Sequence, residues 1–171
     1  LASSVLYNGA LWKGRTLECF EGGEDQKYMP YGATKSPGNT VTGYYMRKLL
    51  DETNRDFVLN GSYQPWPEFR YAELELIKAE CLARAGKYAE ARTVINDLRV
   101  KRFGRDDVYT APISSWDTAL DVILHERMIE LCYEGHRFWD LRRTGRAHTV
   151  LDGKKYTGVL WKKAPDGSFT P

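Results

Sequence analysis

Two apolar stripes at helical spacing, separated by a single glycine, constrain this chain more than any other feature. Phe69, Ala72, Leu76, Ala79 and Ala83 recur at alternating steps of three and four, and Tyr88, Ala91, Ile95 and Leu98 repeat the pattern beyond Gly86. Pro67 suits the first turn of the first helix, where no amide donor is needed, and Gly86 suits the left-handed residue that ends it. A turn as short as Gly86-Lys87 forces the two helices to lie antiparallel, and the second should stop near Gly104. Ala72, Ala79, Ala83 and Ala91 let the pair approach closely. The spacing of Ala79, Gly86 and Ala91 around Tyr88 is like a tetratricopeptide helix pair. An array of such pairs needs about three units to bury its faces, and this chain holds one clear unit and one doubtful one.

The doubtful unit follows. A third helix opens at Ser114 or Ser115, with Ser114 and Asp117 spaced as a capping box, and runs through Leu120, Ile123, Leu124, Met128 and Leu131 to Gly135. A fourth, shorter helix covers His136 to about Arg143 and ends at Gly145. The flanks read differently. Asn8-Gly9 lies between Ser4-Val5-Leu6-Tyr7 and Ala10-Leu11-Trp12, which predicts a type I′ hairpin there. Asp152-Gly153 marks another turn. The expectation is a mainly α fold of two antiparallel, tetratricopeptide-like helical hairpins (67–146), between a strand-and-loop region (1–66) and a turn-rich tail (147–171).

At 171 residues this is one domain or a piece of a larger one. A formal charge of +2, from 25 basic and 23 acidic residues, gives no field that argues for nucleic acid. No stretch approaches the ~20 apolar residues of a membrane span. Cys19, Cys81 and Cys132 stand far apart with no CxxC, so neither a zinc site nor a disulfide framework follows from their spacing. Leu1-Ala2-Ser3-Ser4 is neither an initiator methionine, a basic leader nor a lipobox, and the expectation is a chain that begins inside a longer protein.

Catalytic readings fail on spacing. His125-Glu126 starts like the zinc-protease HExxH, but position 129 is Ile, so the second ligand is missing. Glu126, Arg127, Glu130, Glu134, Arg137, Asp140 and Arg143 could suggest paired carboxylates for acid–base work. Carboxylates four apart, crossed by arginines, are better read as a structural ion-pair lattice tying helices together. No catalytic residue, metal site or cofactor is expected.

Two segments carry a family resemblance. One runs from Phe69-Arg70-Tyr71-Ala72-Glu73-Leu74-Glu75-Leu76 to Asn96-Asp97-Leu98-Arg99. The other runs from Ile123-Leu124-His125-Glu126-Arg127 through Glu130-Leu131 and Glu134-Gly135-His136-Arg137 to Asp140-Leu141-Arg142-Arg143, an ER-x-x-EL-x-x-EG-x-R-x-x-DL-x-R pattern. Both closely resemble the C-terminal part of the SusD/RagB family, nutrient-binding lipoproteins of Bacteroidetes outer membranes. Gly43-Tyr44-Tyr45-Met46-Arg47 is similar to the segment that precedes those helices. The resemblance implies binding of a glycan, or sometimes peptide, at the cell surface without enzyme activity. It implies delivery to a SusC-like TonB-dependent transporter, and a lipid anchor outside this chain. It also implies that the carboxylate–arginine motif is scaffold.

The ligand is then sought among aromatics in loops. A sugar offers a flat apolar face with polar edges, which suits an indole or phenol plane with polar groups beside it. Trp12, Tyr28, Tyr31 and Trp161 are the candidate ligand-binding residues, with Tyr7 nearby, and Trp12 leads because the Asn8-Gly9 turn should hold it at a hairpin edge. Trp116 and Trp139 lie inside helices and are expected in the core, and Trp66 should pack on a first helical turn. The alternatives are a tetratricopeptide-like protein–protein interaction scaffold, with a groove lined by Asn, Lys and Arg, and a glycan-active enzyme with two facing carboxylates.

Overall fold

A computed structural model describes residues 2–26, 40, 42–54, 61–104 and 108–170. The chain divides into two compact units, Leu1–Trp66 with Gly153–Pro171, and Pro67–Asp152.

The helical unit begins with α1 (Tyr71–Arg84) and α2 (Tyr88–Phe103). Gly86, at φ +76°, closes α1: the amide of Lys87 donates to the Leu82 carbonyl at 2.9 Å and that of Gly86 to Ala83 at 3.0 Å. This is a Schellman motif, which consumes carbonyls that would otherwise be orphaned at the helix end. The expected stripes face inward, since Ala72, Leu76, Ala79, Ala83, Ala91, Val94, Ile95 and Leu98 are all buried. Phe69 does not join them: it lies before the first helical residue and is 79% exposed.

Helix α3 (Trp116–Glu130) is capped by Ser115, whose Oγ accepts the Thr118 amide at 3.2 Å; Ser115, rather than Ser114, is the cap. Ala119 and Ile123 of α3 complete the core formed with Ala79, Ala83, Ala91, Val94 and Ile95. Trp116 packs half-buried on this core, with the Arg84 guanidinium 4.5 Å from its ring centroid. Helix α4 (His136–Arg143) follows residues 131–135, where Tyr133 and Gly135 both take positive φ. It ends on a second Schellman motif, with Arg146 N–H bonded to Leu141 and Gly145 N–H to Arg142. A short α5 (Ala147–Leu151), not expected from the sequence, closes the unit.

The other unit is built on two-residue strands. Strands β1 (Val5–Leu6) and β4 (Tyr45–Met46) pair antiparallel, as do β2 (Leu11–Trp12) with β3 (Arg15–Thr16) and β5 (Lys162–Lys163) with β6 (Phe169–Thr170). The expected hairpin at Asn8-Gly9 is therefore misplaced by one turn. Type I′ geometry needs positive φ at both central residues. Lys13 (+50°) and Gly14 (+85°) supply it between β2 and β3, whereas at Asn8-Gly9 only Gly9 does. The Asn8 side chain instead accepts the Cys19 amide at 3.0 Å.

Leu6, Ala10, Leu17 and Cys19 form the small core of this unit. Distant stretches also meet in it: the Val159 amide donates to the Thr42 carbonyl at 2.8 Å. A Cβ on Gly43 would stand 2.4 Å from the Val159 carbonyl oxygen, so only glycine fits.

Candidate functional site

The carboxylates of the ER-x-x-EL motif bind arginines that arrive from other elements. Glu126, fully buried, accepts Arg99 of α2 at 2.6 Å, and the Tyr109 hydroxyl lies at 3.5 Å. Glu130 accepts Arg70 at 2.7 Å and lies 3.1 Å from Arg102. Glu134, beyond the end of α3, accepts Arg70 Nε at 2.6 Å. Arg127 reaches the buried Asp140 at 2.7 Å, and Arg143 clamps Glu80 through two bonds of 2.7 and 2.8 Å while also touching Asp140 at 2.9 Å. The Glu80 contact raises the Arg143 pKa, and that of Arg70 is raised by Glu134 and Glu130 against an opposing burial effect.

Arg137 departs from the expected pattern. Its guanidinium donates to the Leu124 backbone carbonyl at 3.3 Å rather than to a carboxylate. The carboxylates of the motif are thus committed to arginines, in the manner of an ion-pair lattice. The groove between α1 and α2, about 510 Å³, is lined by Arg70, Lys78, Lys101 and Arg102 together with Glu75 and Asp97. Arg70 and Arg102 are already held by Glu130, so it is less cationic than its residue list implies.

The aromatic candidates fall in the strand-built unit. Trp12 and Trp161 are both half-buried and pack on the Leu6, Ala10, Leu17 and Cys19 core, together with Tyr7 and Tyr45. Lys13 Nζ stands 5.5 Å from the centroid of the Trp12 ring. Trp161 continues the strand contacts, since its carbonyl accepts the Glu21 amide at 2.7 Å, but its buried Nε1 has no hydrogen-bond partner among the described residues. Tyr28 and Tyr31 lie outside the described residues. Burial pushes the Cys19 thiol up to about 11, which keeps it protonated and inert at neutral pH.

The same unit holds an open groove of about 540 Å³ that the sequence did not disclose. Tyr7, Leu11, Lys13, Arg47, Glu52 and Thr53 line it. Successive strand residues face opposite sides, so Leu11, 65% exposed, can present itself to the groove while Trp12 turns to the core. Arg47 is fixed against Glu52 by two bonds of 2.7 and 3.0 Å and donates to the Ala2 carbonyl at 3.1 Å; Lys13 donates to the Asn54 carbonyl. The groove thus combines an apolar wall with donors and an acceptor whose rotamers are already held.

Two helix-borne tryptophan expectations need correcting. Trp139 is 65% exposed on α4, with Phe138 edge-on at 5.0 Å, because the eight-residue α4 turns Asp140 and Leu141 inward instead. Trp66 is also exposed, and α1 begins only at Tyr71.

The family model described as the SusD family matches residues 1–166. SusD-like protein P38 of Formosa agariphila is 38% identical over 101 residues, covering 54% of this chain and 20% of that protein. Two crystal structures from Bacteroides fragilis are similar. One, a SusD-like protein, has a TM-score of 0.68 and 25% identity over 86% of this chain and 28% of its own. The other, a SusD-like carbohydrate binding protein, has a TM-score of 0.61 and 26% identity over 96% of this chain and 31% of its own. The chain thus spans between a fifth and a third of the length of these relatives. With the family model matched along nearly its whole length and the helical architecture shared, the chain belongs to the SusD family.

Proposed function

We propose that this chain is part of a nutrient-binding protein that holds a glycan and passes it, unmodified, to a SusC-like TonB-dependent transporter. The protein works at the cell-surface face of the outer membrane, held there by a lipid anchor outside these residues. The observation that carries the reading is the likeness, along 96% of the chain, to a SusD-like carbohydrate binding protein.

The groove of the strand-built unit supplies the chemistry. Tyr7 and Leu11 offer apolar surface to a sugar face, while Arg47, Lys13, Glu52 and Thr53 offer a polar rim for hydroxyls. The Arg47–Glu52 pair is fixed before a ligand arrives, so binding freezes few rotamers and more of the contact energy appears as affinity. Trp12 and Trp161 serve the site indirectly, by packing on the core that carries the groove residues Tyr7 and Ala10. Tyr28 and Tyr31, the further candidates from the sequence, stay in the proposal.

The test is calorimetric titration of the full-length protein with defined oligosaccharides. Leu11→Ala with Thr53→Ala should weaken binding several-fold and leave the melting temperature within a degree or two, because both side chains are exposed. Trp12→Ala should lower both affinity and melting temperature. Unchanged affinity in both variants removes the groove from the site, and hydrolysis of the oligosaccharide would overturn the non-enzymatic reading.

A further inference from the structure

Arg47 and Glu52 both line the groove of the strand-built unit, and each holds the other. Arg47 Nε and one terminal nitrogen donate to the two Glu52 oxygens at 2.7 and 3.0 Å, and the other terminal nitrogen donates to the Ala2 carbonyl at 3.1 Å. That is the two-pronged pairing through which an arginine otherwise grips a carboxylate or phosphate. The edge of the guanidinium that an acidic sugar would seek is therefore taken. Both side chains stay partly open to solvent, 29% and 43% exposed, so a ligand in the groove meets the pair and not the cation alone.

The second cation of the groove is offset in its turn. Lys13 donates to the Asn54 carbonyl, and its ammonium stands over the Trp12 ring. Asp51, next to Glu52 in the chain, has its pKa lowered by bonds from the Thr53 hydroxyl and amide, and also by the charge of Lys13. Lys13 and Arg47 are thus set against Asp51 and Glu52, and this rim carries no net charge. What it offers a ligand is hydrogen bonding, through the Thr53 hydroxyl oxygen and the Glu52 lone pairs that Arg47 does not use. A sugar hydroxyl can donate to such acceptors. A sugar carboxylate or sulfate has no proton to give and would stand beside Glu52 with like charge.

We infer, resting on the proposal that this groove is the sugar site, that it accepts neutral glycans and rejects acidic ones, and that Glu52 is the residue that sets the preference. By occupying Arg47, Glu52 withdraws an attraction for anions and adds a repulsion, the two means by which a site separates ligands of the same shape. An incoming anion would also have to displace a carboxylate only five residues away on the same chain, and therefore present at high effective concentration.

The experiment applies the natural full-length protein to a printed panel in which neutral oligosaccharides are paired with uronate and sulfate-ester counterparts of the same backbone. The best-bound pair is then titrated calorimetrically. The neutral member should bind about tenfold more tightly than its acidic counterpart, because the latter brings like charges together in the groove. Its affinity should hardly change between about 20 and 500 mM sodium chloride, a range that screens away attraction between exposed charges. This salt series uses the unaltered protein and does not depend on how any variant folds. Glu52→Gln releases the Arg47 fork and should raise affinity for the acidic member about tenfold at low salt. A preference of the unaltered protein for acidic members, a steep loss of affinity with salt, or an unchanged preference in Glu52→Gln would each overturn the inference while leaving the glycan reading in place. Binding to no member of the panel, neutral or acidic, would overturn both.

Discussion

Replacing Glu126 by Ala removes the acidic half of an ion pair sealed inside the helical unit. Glu126 is fully buried and the Arg99 side chain is 11% exposed, so the guanidinium that loses this carboxylate cannot regain water by a small movement. Truncating one partner of a buried pair costs about 3–5 kcal/mol, because the remaining charge loses its close counter-ion in a weakly polar interior. Arg99 keeps its stacking on Tyr109 (4.7 Å) and Phe103 (5.4 Å), which cushions the cation and places the expected loss near the lower end, about 3 kcal/mol. Glu126 Oε1 has no hydrogen-bond partner among the described residues, so the native carboxylate is itself incompletely satisfied. The double replacement Glu126→Leu with Arg99→Met should therefore be close to neutral, since an apolar pair of similar volume avoids both desolvation costs. Urea unfolding followed by circular dichroism at 222 nm reads the helical unit and gives both free energies. If Glu126→Ala costs under 1 kcal/mol, or the double variant is no better than the single one, the pair does not hold charge in the interior as described.

Arg137→Ala should cost only about 1 kcal/mol by the same urea assay, because it loses a hydrogen bond to the Leu124 carbonyl and no ion pair; a loss like that of Glu126→Ala would mean a carboxylate partner. Ser115→Ala should destabilise α3 by about 1 kcal/mol through loss of the Thr118 amide bond, and Ser114→Ala should do nothing measurable in thermal melts. Asp25, held by two bonds from Arg15 at 2.6 and 2.7 Å, has its pKa lowered by that contact. A depressed carboxylate contributes stability that is present above its unfolded pKa and lost as pH falls through the folded one. Melts of the strand-built unit, followed by near-ultraviolet dichroism, should therefore weaken below the ordinary carboxylate range, and Asp25→Asn should flatten that dependence.

Local rules made the helices legible. Gly86 and Gly145 marked helix ends because their positive φ lets the chain fold back onto its own last carbonyls, a requirement written into neighbouring residues. The hairpin was misassigned because Asn-Gly is a better I′ pair than Lys-Gly by propensity, and only the pairing of Val5 with Met46 diverts the first strand. The carboxylate row was visible but its partners were not: Arg70, Arg99 and Arg102 meet it through tertiary packing, and no fixed offset in the motif announces them. The groove was hidden for the same reason, since it brings Tyr7 and Leu11 to Arg47 and Glu52 across some forty residues. Trp139 was misplaced because an eight-residue helix has two faces, and its composition alone does not say which turns inward.

The bond between Val159 and Thr42 has a consequence for how the polypeptide comes off the ribosome. The helical unit is a continuous stretch, Pro67–Asp152, whereas the strand-built unit cannot be finished until residue 159 has been made. Domains fold as their chain emerges, and nearby contacts form faster than distant ones. The helices therefore assemble while the first 66 residues, though synthesised earlier, still lack their closing strand. For that interval the apolar residues Leu6, Leu17, Trp12 and Tyr45 await Trp161, so the earliest-made part of this chain is the last to become safe from aggregation.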